Sequence, residues 1–181
     1  YRGTAPVGGL EACATLGQGL DNVISFQSLS KRSSAPGLRS GFIAGDARII
    51  ERYGQFVTFG GSPLPFPVLH ASTALWNDDA HVVENRSYYA ENFRLAEEIL
   101  SPHMDVFIPP AGFFLWLNVE DGVAAARTLW REAAIKTLPG SLMARDDDQG
   151  RNPGKPYLRV ALVYEPEKTE RGLKRLAETL F

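Results

Sequence analysis

The sequence predicts an α/β chain in two parts: the tail of a larger sheet domain, then a small α+β domain. Three observations lead there. Apolar strand-like runs alternate with helical stretches over residues 1–60, one helical face runs unbroken from Asp78 to Leu100, and strands and helices mix again from Met104 onward. The boundaries this implies are 1–78 for the first part, 79–100 for a connecting helix and 101–181 for the second.

Gly9–Leu16 is predicted helical, with Leu10, Cys13 and Leu16 on one face, and Asn22–Phe26 and Gly41–Ala44 are predicted strands. Asp46–Phe56 reads as a helix that opens on an acidic cap. Thr58–Pro67 (TFGGSPLPFP) is rich in glycine and proline, so it is expected to be a loop, with a short helix at Val68–Trp76 after it. From Asp78-Asp79 to Leu100, the apolar residues Val82, Val83, Tyr89, Phe93, Leu95, Ala96 and Leu100 share a broad face, and the acidic start suits the positive end of a helix dipole. Such a helix is long enough to bridge two domains.

Beyond it the pattern predicts strands at Met104–Ile108 and Phe113–Val119, a helix at Gly122–Ala133 and a short strand near Ile135–Leu138. A strand at Tyr157–Val163 and a closing helix at Pro166–Leu180 complete the order. Proline suits the first helical turn because its missing N–H has no partner to lose there. The polar stretch Ala144–Lys155, with its Asp146-Asp147-Asp148 run, reads as a loop.

Composition narrows the function classes. A net charge of −2 and an isoelectric point near 6.0 provide no long-range field for nucleic acid or an anionic membrane, and the basic residues are dispersed. Cys13 is the sole cysteine, so an internal disulfide is excluded and a reducing cytoplasm is the expected location. No apolar run approaches membrane-spanning length. His70, His81 and His103 lack metal-ligand spacing and read as surface or packing residues, so no metal site is expected. Asn85-Arg86-Ser87 matches a glycosylation acceptor, but its place in a helix argues against use.

The segment Ser28-Leu29-Ser30-Lys31-Arg32-Ser33-Ser34-Ala35-Pro36-Gly37-Leu38-Arg39-Ser40-Gly41 carries the most chemistry, placing hydroxyls, a lysine and an arginine in a turn between two apolar strands. A lysine condenses with an aldehyde only as the free amine, a form favoured by partial burial and nearby cations such as Arg39. A guanidinium grips phosphate through parallel N–H bonds, and Ser28 and Ser30 offer further donors. The plainer alternative is that Lys31 and Arg32 form a solvated basic pair in a surface loop.

Arg159 is the second candidate. It interrupts the apolar strand Tyr157-Leu158-Arg159-Val160-Ala161-Leu162-Val163, where an unpaired buried guanidinium would be costly, so an anion is expected to meet it. An internal salt bridge or a solvated sheet face would serve equally from pattern alone. Phe114 and Trp116 alternate with Phe113, Leu115 and Leu117 and read as two faces of one strand.

With these residues in view, the chain resembles the fold-type I, class I/II aminotransferases that use pyridoxal 5′-phosphate (PLP). Their Ser-x-Ser-Lys, spacer, Gly-x-Arg-x-Gly signature stands here as Ser28-Leu29-Ser30-Lys31 and Gly37-Leu38-Arg39-Ser40-Gly41. Four segments, SLSKRSSAPGLRSGFIAGD, WNDDAHVVENRSYY (76–89), PPAGFFLWLNV (109–119) and LPGSLMARDDDQGRNPGKPYLRVALV (138–163), resemble the N-succinyldiaminopimelate aminotransferases of bacterial lysine synthesis.

That resemblance implies the tail of a three-layer α/β/α large domain followed by the small domain. It also implies Lys31 as the cofactor-binding lysine and proton shuttle, Ser28, Ser30 and Arg39 as cofactor ligands, and Arg159 as the arginine for the substrate α-carboxylate. The implied reaction carries an amino group from glutamate to N-succinyl-2-amino-6-ketopimelate, with small amino and keto acids as partners and a homodimer at full length. Ser62 and its loop resemble a segment that reaches a neighbouring subunit's cofactor, and Ala111-Gly112-Phe113 a place where substrate approaches. A chain of 181 residues, 44% apolar and opening at Tyr1 without methionine, is shorter than such enzymes. It is expected to be a C-terminal half, inactive alone, because the residues that hold the ring nitrogen, phenolic oxygen and ring face in relatives lie upstream. An aminotransferase of other specificity, a carbon–sulfur lyase and a regulator's ligand-sensing domain are the alternatives.

Overall fold

The structure, a computed structural model, describes residues 6–17, 19–61 and 63–181. In chain order the elements are α1 (Gly9–Leu16), β1 (Ile24–Ser28), α2 (Leu29–Arg32), β2 (Gly41–Gly45), α3 (Ala47–Gly60), α4 (Phe66–Trp76) and α5 (Ala80–Leu100). Then follow β3 (Phe114–Asn118), α6 (Gly122–Ala133), β4 (Leu138–Pro139), β5 (Tyr157–Ala161) and α7 (Pro166–Leu180). Two compact units result, one ending at Asn85 and the other running from Arg86 to Phe181, so the division falls inside α5.

In the first unit β1 and β2 form an antiparallel pair with Ser28 opposite Gly41. Gly41 is required there, because a β-carbon would run into the Gln27 carbonyl oxygen on the facing strand. Asp46 caps α3: its carboxylate accepts the Arg48 amide at 2.9 Å and, at 2.8 Å, the Asn22 amide that precedes β1. The Arg48 guanidinium, and then the Asn22 amide, hold the Asp46 carboxyl well below the usual carboxylate range. Leu29 is fully buried, whereas Phe26, Phe56, Phe59 and Phe66 are each more than 70% exposed.

The second unit is a three-stranded antiparallel sheet, order β3-β5-β4, with helices on one face. Leu115, Leu117, Leu158 and Val160 turn inward and join Phe93, Ala96 and Leu100 of α5, Leu129 of α6, and Leu173 and Leu176 of α7 in one core. Each fully buried leucine contributes about 1.5–3 kcal/mol. Asp121 accepts the Val123 and Ala124 amides, both at 3.0 Å, and so starts α6 at Gly122. The buried Asn92 of α5 donates to the carbonyls of Leu162 at 3.1 Å and Tyr164 at 2.9 Å, fixing the exit of β5.

Several expectations require correction. Thr58–Pro67 is not a single loop: α3 continues to Gly60, and α4 begins at Phe66 with Pro67 in its first turn, where proline is tolerated. Met104–Ile108 is not a strand. Met104, Val106 and Ile108 do alternate inward against the core, but the segment hydrogen-bonds to no neighbouring strand. The short strand lies at Leu138–Pro139 rather than Ile135–Leu138, and β5 ends at Ala161.

Candidate active site

The connection from Ser28 to Gly41 is built rather than loose. Ser28 caps the single turn of α2, its hydroxyl oxygen accepting the Ser30 amide at 3.2 Å and donating to the Ser40 carbonyl at 3.5 Å. The Leu29 amide donates to the same Ser40 carbonyl at 3.1 Å, and the Leu29 side chain is buried beneath. A 3-10 turn at Pro36–Leu38 then brings the chain back, with Arg39 in the left-handed region at φ 49° and its guanidinium donating to the Pro36 carbonyl at 3.1 Å. Ser28, Lys31 and Arg39 are exposed and Ser30 half-buried. The partial burial expected for Lys31 is thus absent: the buried position of this turn is Leu29, and Lys31, two residues later, stands on its open side.

Arg159 lies in the other unit, on the central strand, opposite Trp116 of β3 and Leu138 of β4. Because Leu158 and Val160 point into the core, Arg159 shares the other sheet face with Phe114, Trp116 and Tyr157. Its guanidinium stands 4.5 Å from the Phe114 ring centre, and Trp116 stacks on Tyr157 at 5.6 Å. None of the ion pairs among the described residues uses Arg159. An aromatic face supports a guanidinium without neutralising it. The half-buried cation therefore keeps its fork available for an external anion.

Sequence reasoning misses two supports. It places Phe114 only on a strand face, and the signal is the register of that residue opposite Ala161, beside Arg159. It makes Arg32 half of a basic pair, yet the side chain is 21% exposed and donates to the Leu75 carbonyl at 2.7 Å. The nearest clue in sequence is the acidic pair Asp78-Asp79. His81 Nδ1 lies 2.8 Å from Asp78 Oδ2, and that bond holds the Asp78 carboxyl below its ordinary range. His103 stacks on Phe181. Among the described residues no group of His, Cys, Asp or Glu has the arrangement of a metal site, and no helix is long and apolar enough to cross a membrane. Ser62 lies outside the described residues.

Residues 2–176 match the family model for aminotransferase class I and II, whose members use PLP. An aminotransferase from Neisseria meningitidis superposes with a TM-score of 0.92 at 43% identity, over 100% of this chain and 46% of that one. The aminotransferase AspB from Helicobacter pylori gives 0.88 at 40% identity, over 99% and 46%. Among curated relatives, the 4-dedimethylamino-4-oxo-anhydrotetracycline transaminase OxyQ of Streptomyces rimosus is 30% identical over 90% of this chain and 44% of its own length. An LL-diaminopimelate aminotransferase of Dehalococcoides mccartyi is 28% identical over 98% and 44%. The chain thus spans less than half the length of these relatives.

The side chains at the hairpin connection fit two ends of that cofactor. An exposed lysine amine suits its aldehyde, and an exposed guanidinium with serine hydroxyls suits its phosphate. With that donor set in place and the match extending over residues 2–176, the chain belongs to the class I and II aminotransferases.

Proposed function

We propose that the protein containing this chain is a cytoplasmic, homodimeric aminotransferase that transfers the amino group of glutamate to N-succinyl-2-amino-6-ketopimelate in diaminopimelate and lysine synthesis. The observation that carries the reading is the placement of Lys31 on a capped helical turn, exposed, at the same hairpin end as Ser28, Ser30 and Arg39. Relatives named as LL-diaminopimelate aminotransferases support an acceptor of the diaminopimelate class. The likeness of the 138–163 segment to succinyl-specific enzymes supports the succinyl form.

Bound PLP supplies a ring that accepts the electrons left when the substrate α-carbon loses its proton. Arg39 would hold the phosphate through its guanidinium, with the Ser28 and Ser30 hydroxyls beside it. Lys31 would hold the cofactor through its aldehyde and, when substrate takes that place, its Nζ amine would be the base that removes the α-carbon proton and, as the ammonium, the acid that gives it back. Arg159 would bind the substrate α-carboxylate through its planar fork.

The test supplies the full-length enzyme with glutamate and a panel of keto acids that includes the succinylated ketopimelate and its unacylated analogue. Formation of 2-oxoglutarate only when an acceptor is present, and fastest with the succinylated one, is the expected result. Keto acid release without any acceptor would point to a lyase. No turnover with any acceptor would favour a sensing domain.

A further inference from the structure

We propose that Arg32 is a positioning residue for Lys31, clamping the lysine-bearing turn onto the C-terminal end of α4; this rests on the role given to Lys31 above. A helix of one turn, here Leu29–Arg32, has no stability of its own, because its nucleus costs more order than its few hydrogen bonds return. It holds shape only if both ends are tied. Its first residue, Leu29, is fully buried and Ser28 caps it. Its last residue, Arg32, makes the other tie.

The contacts of Arg32 are directional and come from separate elements. One guanidinium nitrogen donates to the Leu75 carbonyl at 2.7 Å, which is among the last carbonyls of α4 and has no partner within the helix. The other meets the Asp79 carboxylate just before α5 and lies 3.5 Å from the Asp78 carbonyl. The guanidinium plane also sits 5.0 Å from the centre of the Trp76 ring. Trp76 in turn packs edge-on against Phe42 of β2 at 4.8 Å, so the clamp returns to the hairpin that carries the turn. Lys31 lies between two anchored neighbours, and its exposed side chain is held by backbone that has little freedom to shift. Only a planar, forked cation can stack on an indole and reach a carbonyl and a carboxylate together, so lysine would replace Arg32 in part.

The test compares parent, Arg32→Met and Arg32→Lys full-length protein in two forms. In the cofactor-free form, hydrogen exchange is followed at the Ser33 and Ala35 amides, both of which bond to the Leu29 carbonyl. Arg32→Met should speed exchange there roughly tenfold or more while leaving the α7 amides unchanged, and Arg32→Lys should fall between. In the PLP-loaded form, kcat should drop roughly tenfold to hundredfold, with KM for the amino donor within about twofold. Unchanged exchange at Ser33 and Ala35 would overturn the proposal. So would faster exchange that extends to α7, which would place Arg32 in general stability, or a rise in KM with kcat intact. Borohydride labelling of the parent separates the two claims. A label on a lysine other than Lys31 overturns both, whereas a label on Lys31 with unaltered Arg32 variants overturns this one alone.

Discussion

Replacing Gly140 with alanine should weaken the second unit and, through it, the Arg159 face. A β-carbon at Gly140 would lie 2.5 Å from the Gly154 carbonyl oxygen, 3.0 Å from Trp116 Cζ2 and 3.0 Å from the Tyr157 carbonyl oxygen. The first is almost an ångström short of ordinary contact, and two of the three obstacles are backbone. Neither can swing away. Separation is resisted further because Asn152 ties the two segments, its side-chain amide donating to the Ser141 carbonyl at 3.2 Å and its carbonyl oxygen accepting the Gly154 amide at 2.9 Å. Overpacking of this kind costs about 1–3 kcal/mol, and a bond lost to relieve it about 1 kcal/mol more. Gly172, in the interior of α7, provides the opposite case, because a methyl group added there would have nothing within 4 Å of it. Alanine at that position should stabilise by about 0.4–1 kcal/mol. Thermal unfolding of the cofactor-free full-length protein, read for both variants, should therefore shift in opposite directions. Because Trp116 stands opposite Arg159, Gly140→Ala should also raise KM for the amino donor more than it lowers kcat. A Gly140→Ala melting temperature equal to or above that of the parent would refute the packing argument.

Borohydride treatment of the PLP-loaded enzyme should fix the cofactor mass on Lys31, and peptide mapping of Lys31→Ala should show no label. Arg159→Lys keeps the charge but loses the fork, so KM for amino-acid substrates should rise roughly tenfold to hundredfold while bound PLP, measured by absorbance, stays constant. Asp46 is held ionised in the folded state, so its stabilisation is complete above the unfolded carboxylate value of about 3.9 and is lost as pH falls through the lower folded value. Acid unfolding monitored by circular dichroism should therefore flatten in Asp46→Asn, and an identical acid limb would count against the cap. The 181-residue chain by itself should associate through the exposed Phe26, Phe56, Phe59 and Phe66, as checked by light scattering.

Local chemistry makes some elements legible to the residue. Proline at 166 marks a helix start that depends only on nearby backbone, and the structure puts α7 where that signal stands and α6 at the bounds the apolar pattern gives. Non-local pairing is harder to see. Met104–Ile108 carries a strand's alternation because one side of it meets the core, but a strand also needs a neighbour's free edge, and no pattern within the segment records whether one exists. Pro67 misleads for a related reason: proline excludes a helix interior yet suits a first turn, and what lies upstream decides between them. At the site, residue types disclose a lysine and two arginines. They cannot disclose that Phe114 lies under one guanidinium or that the cation beside Lys31 reaches across to α4, since both contacts join distant positions.

The spacing of the Ser28–Gly41 motif follows from division of labour within it. Ser28 must sit one position before Leu29 to cap the turn, and Leu29 must be buried for the turn to stay on the hairpin. Gly41 must lack a side chain because it closes the hairpin against Gln27, opposite Ser28. Those requirements fix where the connection leaves and where it returns. Lys31 and Arg39 then stand exposed at the end of the hairpin, with Arg39 also donating to the Pro36 carbonyl at 3.1 Å. Substituting Arg39 should thus disturb phosphate binding with little effect on the hairpin, whereas substituting Gly41 should disturb the hairpin first and the cofactor only as a consequence. Cofactor affinity and apo-protein stability measured on the same pair of variants separate a ligand from a scaffold residue inside a single motif.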